Sequence, residues 1–600
     1  MSGIVGVLGV EGATPDGSLL QALTQFMAFR GPGAQHTWVG EGIGLGHALL
    51  NTWSIPNEQQ PLSLDGKTWI VADARLDART DLLSAVHRAG ESCSAGVSDA
   101  ELILRAYAAW GQGCLERLLG DFCFAIWDAD KKSLFCGHDQ LGIRPFYYAE
   151  TPRWLVFGNT LDCLRLQTDS AALNELSVAD FLLFGSIQDP AATMFAGVRR
   201  LPPAHALTWR EGILSVRRYW TFPEDQEIQY QNSGDYEEHF RDMLFAAVKD
   251  RLRPGRVAIA MSGGLDSPSV AAMACRAGCD LRAFTTVYDR VIPHEERHYS
   301  QLTAGSLGIS IEHLPADEYV EAVQKDVSQK RSSPPDEDVL AAYETDFNRQ
   351  VASTSRILLT GHGGDIGLHP ANSHFRRLLR AGHVGRFLRD GVQYAMAERG
   401  LPPMGFRTFL QRRLRASDSW FGDYPGWLNP NFERRLRLRE RWRENSVRLP
   451  KAPHRTRPES CALLQDPIWQ NYFESSDPGN SRLCLHHVHP YFDLRLLRFL
   501  FSISPVPWMW NKSLLRSAMR DLLPEAVRLR PKTPLPGDPW LIFVRRNREK
   551  FLRAPLNLTA YVDRVKHRAF LDSPEAFGPN GYPRSVRPAV LSAWLDGVAA

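Results

Sequence analysis

The sequence has no feature of a membrane-spanning, exported or zinc-finger protein. No apolar run approaches the ~18 residues of a transmembrane helix. The N-terminus carries neither the basic segment nor the long apolar segment of a signal peptide, so we expect a cytoplasmic protein. The nine cysteines form no C-x-x-C pair, which argues against a zinc site and for reduced thiols. The net charge of +3 is too small to indicate a nucleic-acid partner.

The composition is that of a globular chain with ample core. Apolar residues make up 44% of the chain and charged residues 23%. A length of 600 residues corresponds to about four domains of ~150 residues, or to fewer and larger α/β domains.

One stretch, residues 256–269, combines a strand, a glycine turn and the start of a helix. Residues 257–261 are apolar and bounded by turn formers, which predicts a buried strand. The loop SGGLDS follows at 262–267, and Pro268 suits the first position of a helix. The free N–H groups of such a turn face one anion. Asp266 fits beside phosphate only if a cation such as Mg²⁺ stands between them. The spacing is not G-x-x-x-x-G-K-[ST], which excludes a Walker-type loop.

A second glycine-rich loop follows a second buried strand. Residues 356–359 predict this strand, and the loop TGHGGD follows at 360–365. With another strand expected at 281–288, the alternation with helices predicts a parallel, doubly wound α/β sheet. Ligands bind such sheets at the carboxyl ends of the strands. Asp266 and Asp365 should therefore converge on one Mg²⁺–phosphate unit.

The first two hundred residues show a different, α+β pattern. Short apolar strands are expected at 3–10, 43–50, 69–72, 122–128, 133–138 and 154–157. Helices are expected at 18–30, 80–89 and 99–110.

Short motifs in both parts resemble known families. The SGGLDS loop is similar to the pyrophosphate loop of ATP pyrophosphatases, which cleave ATP to AMP and pyrophosphate. The N-terminal motifs resemble the glutaminase domain of class B asparagine synthetases, which has the N-terminal-nucleophile hydrolase fold. These motifs are Gly3-Ile4-Val5-Gly6, Arg30-Gly31-Pro32, Gln60-Pro61-Leu62, Ser98-Asp99-Ala100-Glu101, Gly120-Asp121-Phe122 and the segment from His138 to Pro145.

The resemblance covers almost the full length and implies two domains. It places a glutaminase-like domain at residues 1–220 and an asparagine synthetase-like ATP-pyrophosphatase domain at 221–600, after a polar boundary at 221–234. A basic helical region at 370–460 belongs to the second domain. Its arginines are expected to lie mainly on solvated helix faces; the alternative is a groove for a peptide with acidic side chains.

The residues that carry glutamine hydrolysis in the resembling family are missing. The family's nucleophile is a cysteine after the initiator Met, where this chain has Ser2. Leu49 stands where the glutamine-binding arginine is expected, and Ala72-Asp73-Ala74 replaces Asn-Gly-Glu. An N-terminal serine can act as a nucleophile, but Leu49 and the two alanines cannot anchor glutamine or stabilise an oxyanion. We expect a structural domain without glutaminase activity.

The resemblance also implies a set of site residues in the second domain. The expected ATP-binding residues are Met261, Ser262, Gly263, Gly264, Asp266, Ser267, Thr286, Thr360, Gly361 and Lys512. Asp266 and Asp365 are expected to bind Mg²⁺ and to serve catalysis, together with Lys532 of the R-x-K segment at the acyl-adenylate. Two positions depart from the asparagine synthetase pattern, because Ile366 and His486 stand where acidic residues are usual.

This set implies that a carboxylate is activated by ATP and then attacked by an amine. With the glutaminase residues lost, the amine must come with the substrate. That combination resembles the lasso-peptide cyclases, which join a peptide N-terminus to an Asp or Glu side chain. The expected partners are a precursor peptide and, in the same pathway, a leader-binding protein and a leader peptidase. A β-lactam synthetase, an ammonia-dependent amidotransferase and a non-enzymatic scaffold are the alternatives.

Overall fold

The computed structural model describes residues 2–10, 13–50, 58–167, 172–224, 227–292, 294–321, 333–334, 340–403, 423–446, 454–533, 535–553, 558–579 and 581–599. The described part contains two antiparallel six-stranded sheets followed by a parallel five-stranded sheet. No helix in these ranges is both long enough and apolar enough to cross a membrane.

The two antiparallel sheets lie within residues 1–220, called here the first half of the chain; residues 221–600 are called the second half. One has the order β10-β8-β9-β1-β3-β2 and the other β12-β11-β7-β6-β5-β4. The strands are β1 Gly3–Gly9, β2 Ala34–Gly40, β3 Ile43–Leu49, β4 Leu62–Ser63, β5 Thr68–Leu76, β6 Gly120–Asp128, β7 Ser133–His138, β8 Tyr147–Glu150, β9 Trp154–Gly158, β10 Arg199–Arg200, β11 His205–Arg210 and β12 Ile213–Arg218. The α-helices are Gly17–Phe26, Arg79–Arg88, Asp99–Trp110, Leu161–Arg165 and Glu175–Phe184.

These sheets pack face to face, and helices cover their outer faces. Strand β1 is buried on both sides, and its alternate residues serve different layers. Ile4 packs into the core between the sheets, while Val5 packs against Leu20 of the helix Gly17–Phe26. The expected α+β domain is thus confirmed, and its strands form two sheets. The helix expected at 18–30 ends at Phe26, because the following residues turn and bring buried Arg30 onto Asp477 of the second half.

The third sheet is wholly parallel, with the order β15-β14-β13-β16-β17. Its strands are β13 Val257–Ala260, β14 Leu281–Val287, β15 Ser310–Pro315, β16 Ile357–Leu359 and β17 His486–Val488. After β13 the chain adds β14 and β15 on one side of this strand, and it then crosses to the other side to form β16. The strand order therefore reverses between β13 and β16, which is where such sheets bind ligands. This confirms the expected α/β domain. Strands β15 and β17 were not predicted, because their sequences SIEHLP and HHV lack the apolar run that marks β16.

Helices make up much of the rest of this part of the chain, and those at Pro430–Leu436, Leu438–Ser446 and Tyr582–Ala599 pack on the core of the first domain. The helices are Ser233–Lys249, Asp266–Arg276, Glu296–Leu307, Asp317–Glu321, Ala341–Ala352, Gly364–Gly367, His374–Arg380, Val384–Glu398, Pro430–Leu436, Leu438–Ser446, Pro458–Leu464, Pro467–Ser476, Pro478–Ser481, Leu494–Ser502, Ser513–Ala518, Glu525–Arg528, Pro539–Arg546, Arg548–Arg553, Arg564–Leu571 and Tyr582–Ala599.

Buried ion pairs join the two halves. Arg251 of the second half lies 2.9 Å from Asp493 and 3.4 Å from Asp77 of the first half. Burial raises the pKa of Asp493, but Arg251 and Arg495 outweigh burial and hold it at about 2. Removing one partner of such a buried pair leaves an uncompensated charge, so the pairs tie the halves together.

The basic region at 370–460 contains four of these helices, while 404–422 and 447–453 lie outside the described residues. Several of its arginines pair with acidic residues of this chain. Arg386 contacts Glu227, Arg435 contacts Glu175, and Arg441 contacts Asp180. These three guanidiniums are thus occupied by the protein's own carboxylates.

Candidate active site

The SGGLDS loop connects strand β13 to the helix Asp266–Arg276. Met261 continues the sheet through its N–H donation to Phe284, and the hydroxyls of Ser262 and Ser267 lie 3.1 Å apart. Ser267 Oγ also accepts from the N–H of Ser262 at 2.9 Å. These bonds hold the turn open at the carboxyl end of the strand.

The second glycine loop packs directly onto the first. A Cβ atom at Gly361 would lie 2.7 Å from the backbone nitrogen of Ser267. A Cβ atom at Gly364 would lie 2.8 Å from Cγ of Asp266. Glycine is required at both positions because the two loops approach so closely.

Two carboxylates and two lysines meet at this point. The Lys512 ammonium lies 2.7 and 2.5 Å from the two carboxylate oxygens of Asp266 and 2.7 Å from Oδ1 of Asp365. Lys532 Nζ lies 3.1 Å from Oδ2 of Asp365. Asp266, Asp365, Lys512 and Lys532 were all predicted from sequence to belong to one site, and the structure places them within contact of one another.

The pKa values of the two carboxylates shift in opposite directions. Desolvation raises the pKa of Asp266, although Lys512 opposes this shift. Asp365 has a side chain that is 62% exposed, against 21% for Asp266. Burial acts to raise the pKa of Asp365 as well, but Lys512 and Lys532 outweigh it and lower that pKa. Burial also lowers the pKa of Lys512, and the two carboxylates outweigh it, so this ammonium stays charged.

Backbone geometry directs Lys512 into the site. Asn511 and Lys512 both adopt left-handed conformations, with φ of 49° and 55°. Each such residue costs about 1–3 kcal/mol and persists only where the surroundings impose it. Here the bend points the ammonium at both carboxylates instead of into solvent.

Two predicted residues have their side chains engaged elsewhere. Thr286 Oγ1, at the end of β14, accepts a hydrogen bond from the hydroxyl of Tyr343 at 2.7 Å. The hydroxyl of buried Thr360 lies 2.8 Å from Nδ1 of His489. Ligand contacts at these positions would therefore use the backbone or displace a partner.

Sequence reasoning missed Glu296 as part of this site. Glu296 Oε1 accepts a hydrogen bond from the N–H of Gly263 at 2.7 Å. In sequence it is simply an acidic residue at the start of a helix, where acids are common. Arg530 belonged to the recognised R-x-K segment without a role, and in the structure it donates to the carbonyl of Gly263 at 2.7 Å.

The donor set fits a Mg²⁺ ion. Mg²⁺ in nucleotide sites is held by one or two carboxylates together with substrate phosphates. Asp266 and Asp365 both contact one cation, the Lys512 ammonium, so their oxygens already face a common point at which a cation can bind. Within the described ranges, no group of three or more His, Cys, Asp or Glu side chains is arranged to hold a metal. The two carboxylates would thus bind the ion with the help of phosphate.

A separate cavity of about 40 Å³ marks the position of the expected glutaminase site. Ser2 lies at its wall, where Ser2 N donates to Asp73 at 3.1 Å and Ser2 Oγ accepts from the N–H of Leu50 at 3.1 Å. Ala72 and Ala74 line the same cavity and offer no polar side chain. The cavity thus contains the hydroxyl of Ser2, but residues 72 and 74 offer no polar side chain to bind glutamine.

His486, the first residue of β17 in the second domain, lines this cavity. Its Nε2 is 2.6 Å from Nη2 of Arg144. Burial, reinforced by Arg144, places the pKa of His486 well below its ordinary value, so this histidine is neutral. A neutral side chain here replaces the acidic residue that is usual in asparagine synthetases.

The fold and this cluster define a class: an N-terminal-nucleophile-hydrolase-like domain followed by a parallel-sheet synthetase domain. A family model described as a glutamine amidotransferase domain matches residues 1–220. The model described as asparagine synthase matches residues 239–596, which is more than half of the chain. The chain therefore belongs to the asparagine synthase family.

Curated relatives agree with this assignment. "Asparagine synthetase [glutamine-hydrolyzing] 3" of Bacillus subtilis is 23% identical over 90% of this chain and 89% of its own length. A putative asparagine synthetase of Mycobacterium tuberculosis is 25% identical over 60% of this chain and 58% of its own length. "Amidase chry2" of Gibberella zeae is 27% identical over 50% of this chain and 47% of its own length.

Among solved structures, a glutamine phosphoribosylpyrophosphate amidotransferase of B. subtilis aligns with 52% of this chain and 81% of its own. The identity is 12% and the TM-score 0.28.

Proposed function

We propose that the protein is an ATP-dependent lasso-peptide cyclase. It adenylates an Asp or Glu side chain of a precursor peptide and joins that side chain to the peptide's N-terminal amine. Membership of the asparagine synthase family implies an ATP-dependent, amide-forming enzyme. The observation that carries the proposal is the pairing of an intact charged cluster at Asp266, Asp365 and Lys512 with a first domain that lacks glutamine contacts.

The carboxylates would hold Mg²⁺ on the pyrophosphate part of ATP. When bound, the ion would neutralise the charge that develops on the leaving pyrophosphate. The turn at Gly263 and Gly264 supplies backbone N–H groups for the phosphates, at the positive end of the helix Asp266–Arg276. The substrate carboxylate then attacks the α-phosphorus, which forms an acyl-adenylate and releases pyrophosphate.

Lys532 would act in the second step. Its side chain is 78% exposed and its ammonium contacts Asp365, so it can move onto a bound acyl-adenylate. The peptide amine attacks the acyl carbon, and the developing oxyanion and the departing AMP both carry negative charge. A positioned ammonium stabilises this charge. Lys512 stays between the carboxylates and keeps them at a fixed separation.

The source of the amine distinguishes the proposal from glutamine-dependent synthesis. Glutamine would need side-chain contacts where the chain has Leu49, Ala72 and Ala74. An amine that is part of the substrate needs no such contacts. A precursor peptide satisfies this condition, with a leader-binding protein and a leader peptidase as further proposed partners. A β-lactam synthetase-type reaction satisfies it with a small molecule.

The experiment is ATP–pyrophosphate exchange with the purified chain and candidate peptides encoded by short neighbouring reading frames. We expect exchange to require a peptide with a free Asp or Glu side chain, and the product to lose one water. An N-terminally acetylated peptide is the control, because it should still support exchange but should not cyclise. Exchange driven instead by free aspartate, with asparagine formed from ammonium, would replace the proposal with an ammonia-dependent synthetase.

A further inference from the structure

The N–H group of Gly263 is occupied by an acidic side chain of the protein itself. Gly263 N donates to Glu296 Oε1 at 2.7 Å, and Glu296 opens the helix Glu296–Leu307. In a strand–loop–helix turn, such N–H groups are the donors that bind phosphate. A carboxylate at this point removes one donor and repels an incoming polyphosphate.

The guanidinium of Arg530 lies at the carbonyl of the same glycine. Arg530 Nη1 donates to the carbonyl of Gly263 at 2.7 Å, and the guanidinium lies 3.9 Å from the centre of the Tyr299 ring. The Arg530 side chain is only 8% exposed, and its Nη2 has no hydrogen-bond partner among the described residues. A buried guanidinium with a free donor is suited to receive a carboxylate.

The carboxylate needs only a short movement to reach this cation. Glu296 Oε2 lies 3.9 Å from Nη1 of Arg530, which is too long for a hydrogen bond but within reach of a side-chain rotation. His294 Nδ1 is also 3.6 Å from Glu296 Oε2. Glu296 therefore bonds Gly263 through Oε1, while Oε2 faces the guanidinium of Arg530 and the imidazole of His294.

We propose that Glu296 is a latch on the nucleotide site. In the free enzyme it occupies Gly263 N–H, and it transfers to Arg530 when the pyrophosphate part of ATP binds the loop. This inference rests on the proposed function, because it takes the SGGLDS loop as the ATP site. Arg530 and Lys532 share one short segment, so the transfer also couples ATP occupancy to the segment that carries Lys532.

The first test is the affinity of the full-length chain for Mg²⁺-bound α,β-methylene-ATP, measured by calorimetry. Glu296→Gln keeps the size of the side chain and removes its charge. We expect this variant to bind at least about tenfold more tightly than the parent, because a charge-assisted bond no longer competes with phosphate. Glu295→Gln, at the exposed neighbouring position, is the matched control and should bind as the parent does. Unchanged or weaker binding by Glu296→Gln overturns the latch.

The second test asks whether Arg530 receives the carboxylate. Arg530→Gln should weaken binding by about tenfold in the parent but have little effect in the Glu296→Gln background, since no charge remains to be received. An equal loss in both backgrounds overturns the transfer and assigns Arg530 to phosphate.

If the parent itself fails to bind the analogue, the ATP-dependent function fails. If the parent binds and Glu296→Gln does not tighten binding, only the latch fails.

Discussion

The cavity at Ser2 and the cluster at Asp266 differ in how far solvent reaches their charged groups. In the cavity, Ser2 and Asp73 bond each other and their neighbours, Ala72 and Ala74 are apolar, and charged lining residues such as Arg75, Asp99 and Arg144 are buried. In the cluster, four charged groups converge and two of them are largely exposed. The two regions thus differ in the accessibility of their charged groups, and the accessible cluster is the one suited to bind a charged ligand.

The largest expected effect comes from Asp266. Asp266→Asn removes one of the two carboxylates that would hold Mg²⁺, so we expect ATP–pyrophosphate exchange to fall by about two to three orders of magnitude. The exposed residue Asp280, which pairs with Arg256 at 3.1 Å, provides the control Asp280→Asn. Exchange at a near-parental rate in Asp266→Asn would remove the SGGLDS loop from the nucleotide site.

Lys532 should separate the two chemical steps. Lys532→Ala is expected to retain exchange and to slow ring closure by about two to three orders of magnitude, because it loses a contact with developing negative charge. Lys532→Arg should not restore ring closure, since a planar guanidinium does not replace a compact ammonium. Mass spectrometry of the peptide gives the rate. Cyclisation at the parental rate in Lys532→Ala would exclude this lysine from the reaction.

Acid should destabilise both halves through buried neutral histidines. Burial lowers the pKa of His47 to about 3 and those of His487 and His567 to about 4. The unfolded chain therefore binds more protons than the folded one once the pH falls below about 6.5. The free energy of unfolding should be highest above about pH 6.5. It should fall by about 1.4 kcal/mol per pH unit for each histidine down to about pH 4.

Thermal unfolding between pH 7.5 and 5 measures this loss. His47→Leu should flatten the pH dependence, because it removes a titrating group from the first half. His87 is exposed, so His87→Gln is the control and should leave the slope unchanged. A parent whose melting temperature is constant over this range would contradict the assignment of neutral buried histidines.

The smallest effect is expected at Ser2. Ser2→Ala removes the acceptor for the N–H of Leu50 and should cost about 1 kcal/mol of stability. It should leave ring closure unchanged, and the parent should release no glutamate from glutamine. Glutamate release at a turnover comparable to ATP use would show that the first site is active and would cancel the contrast between the two regions.

Much of this arrangement could be predicted from local sequence. The SGGLDS and TGHGGD loops each follow an apolar strand, and the expected parallel sheet brings their aspartates together. Contacts between distant segments left no local signal. Glu296 reaches Gly263 from a different helix, and Tyr343 of the helix Ala341–Ala352 bonds Thr286 of β14. Strand β17 begins with two histidines and lacks the apolar run that revealed the equally short β16.

The most direct test of the central claim follows oxygen from the substrate. A peptide labelled with ¹⁸O in its side-chain carboxylate is incubated with the enzyme, Mg²⁺ and ATP, without glutamine or ammonium. If the side chain is adenylated and then attacked by the peptide N-terminus, one labelled oxygen appears in AMP for each ring formed, and pyrophosphate stays unlabelled. Formation of ADP, or a cyclised peptide with unlabelled AMP, would contradict the account.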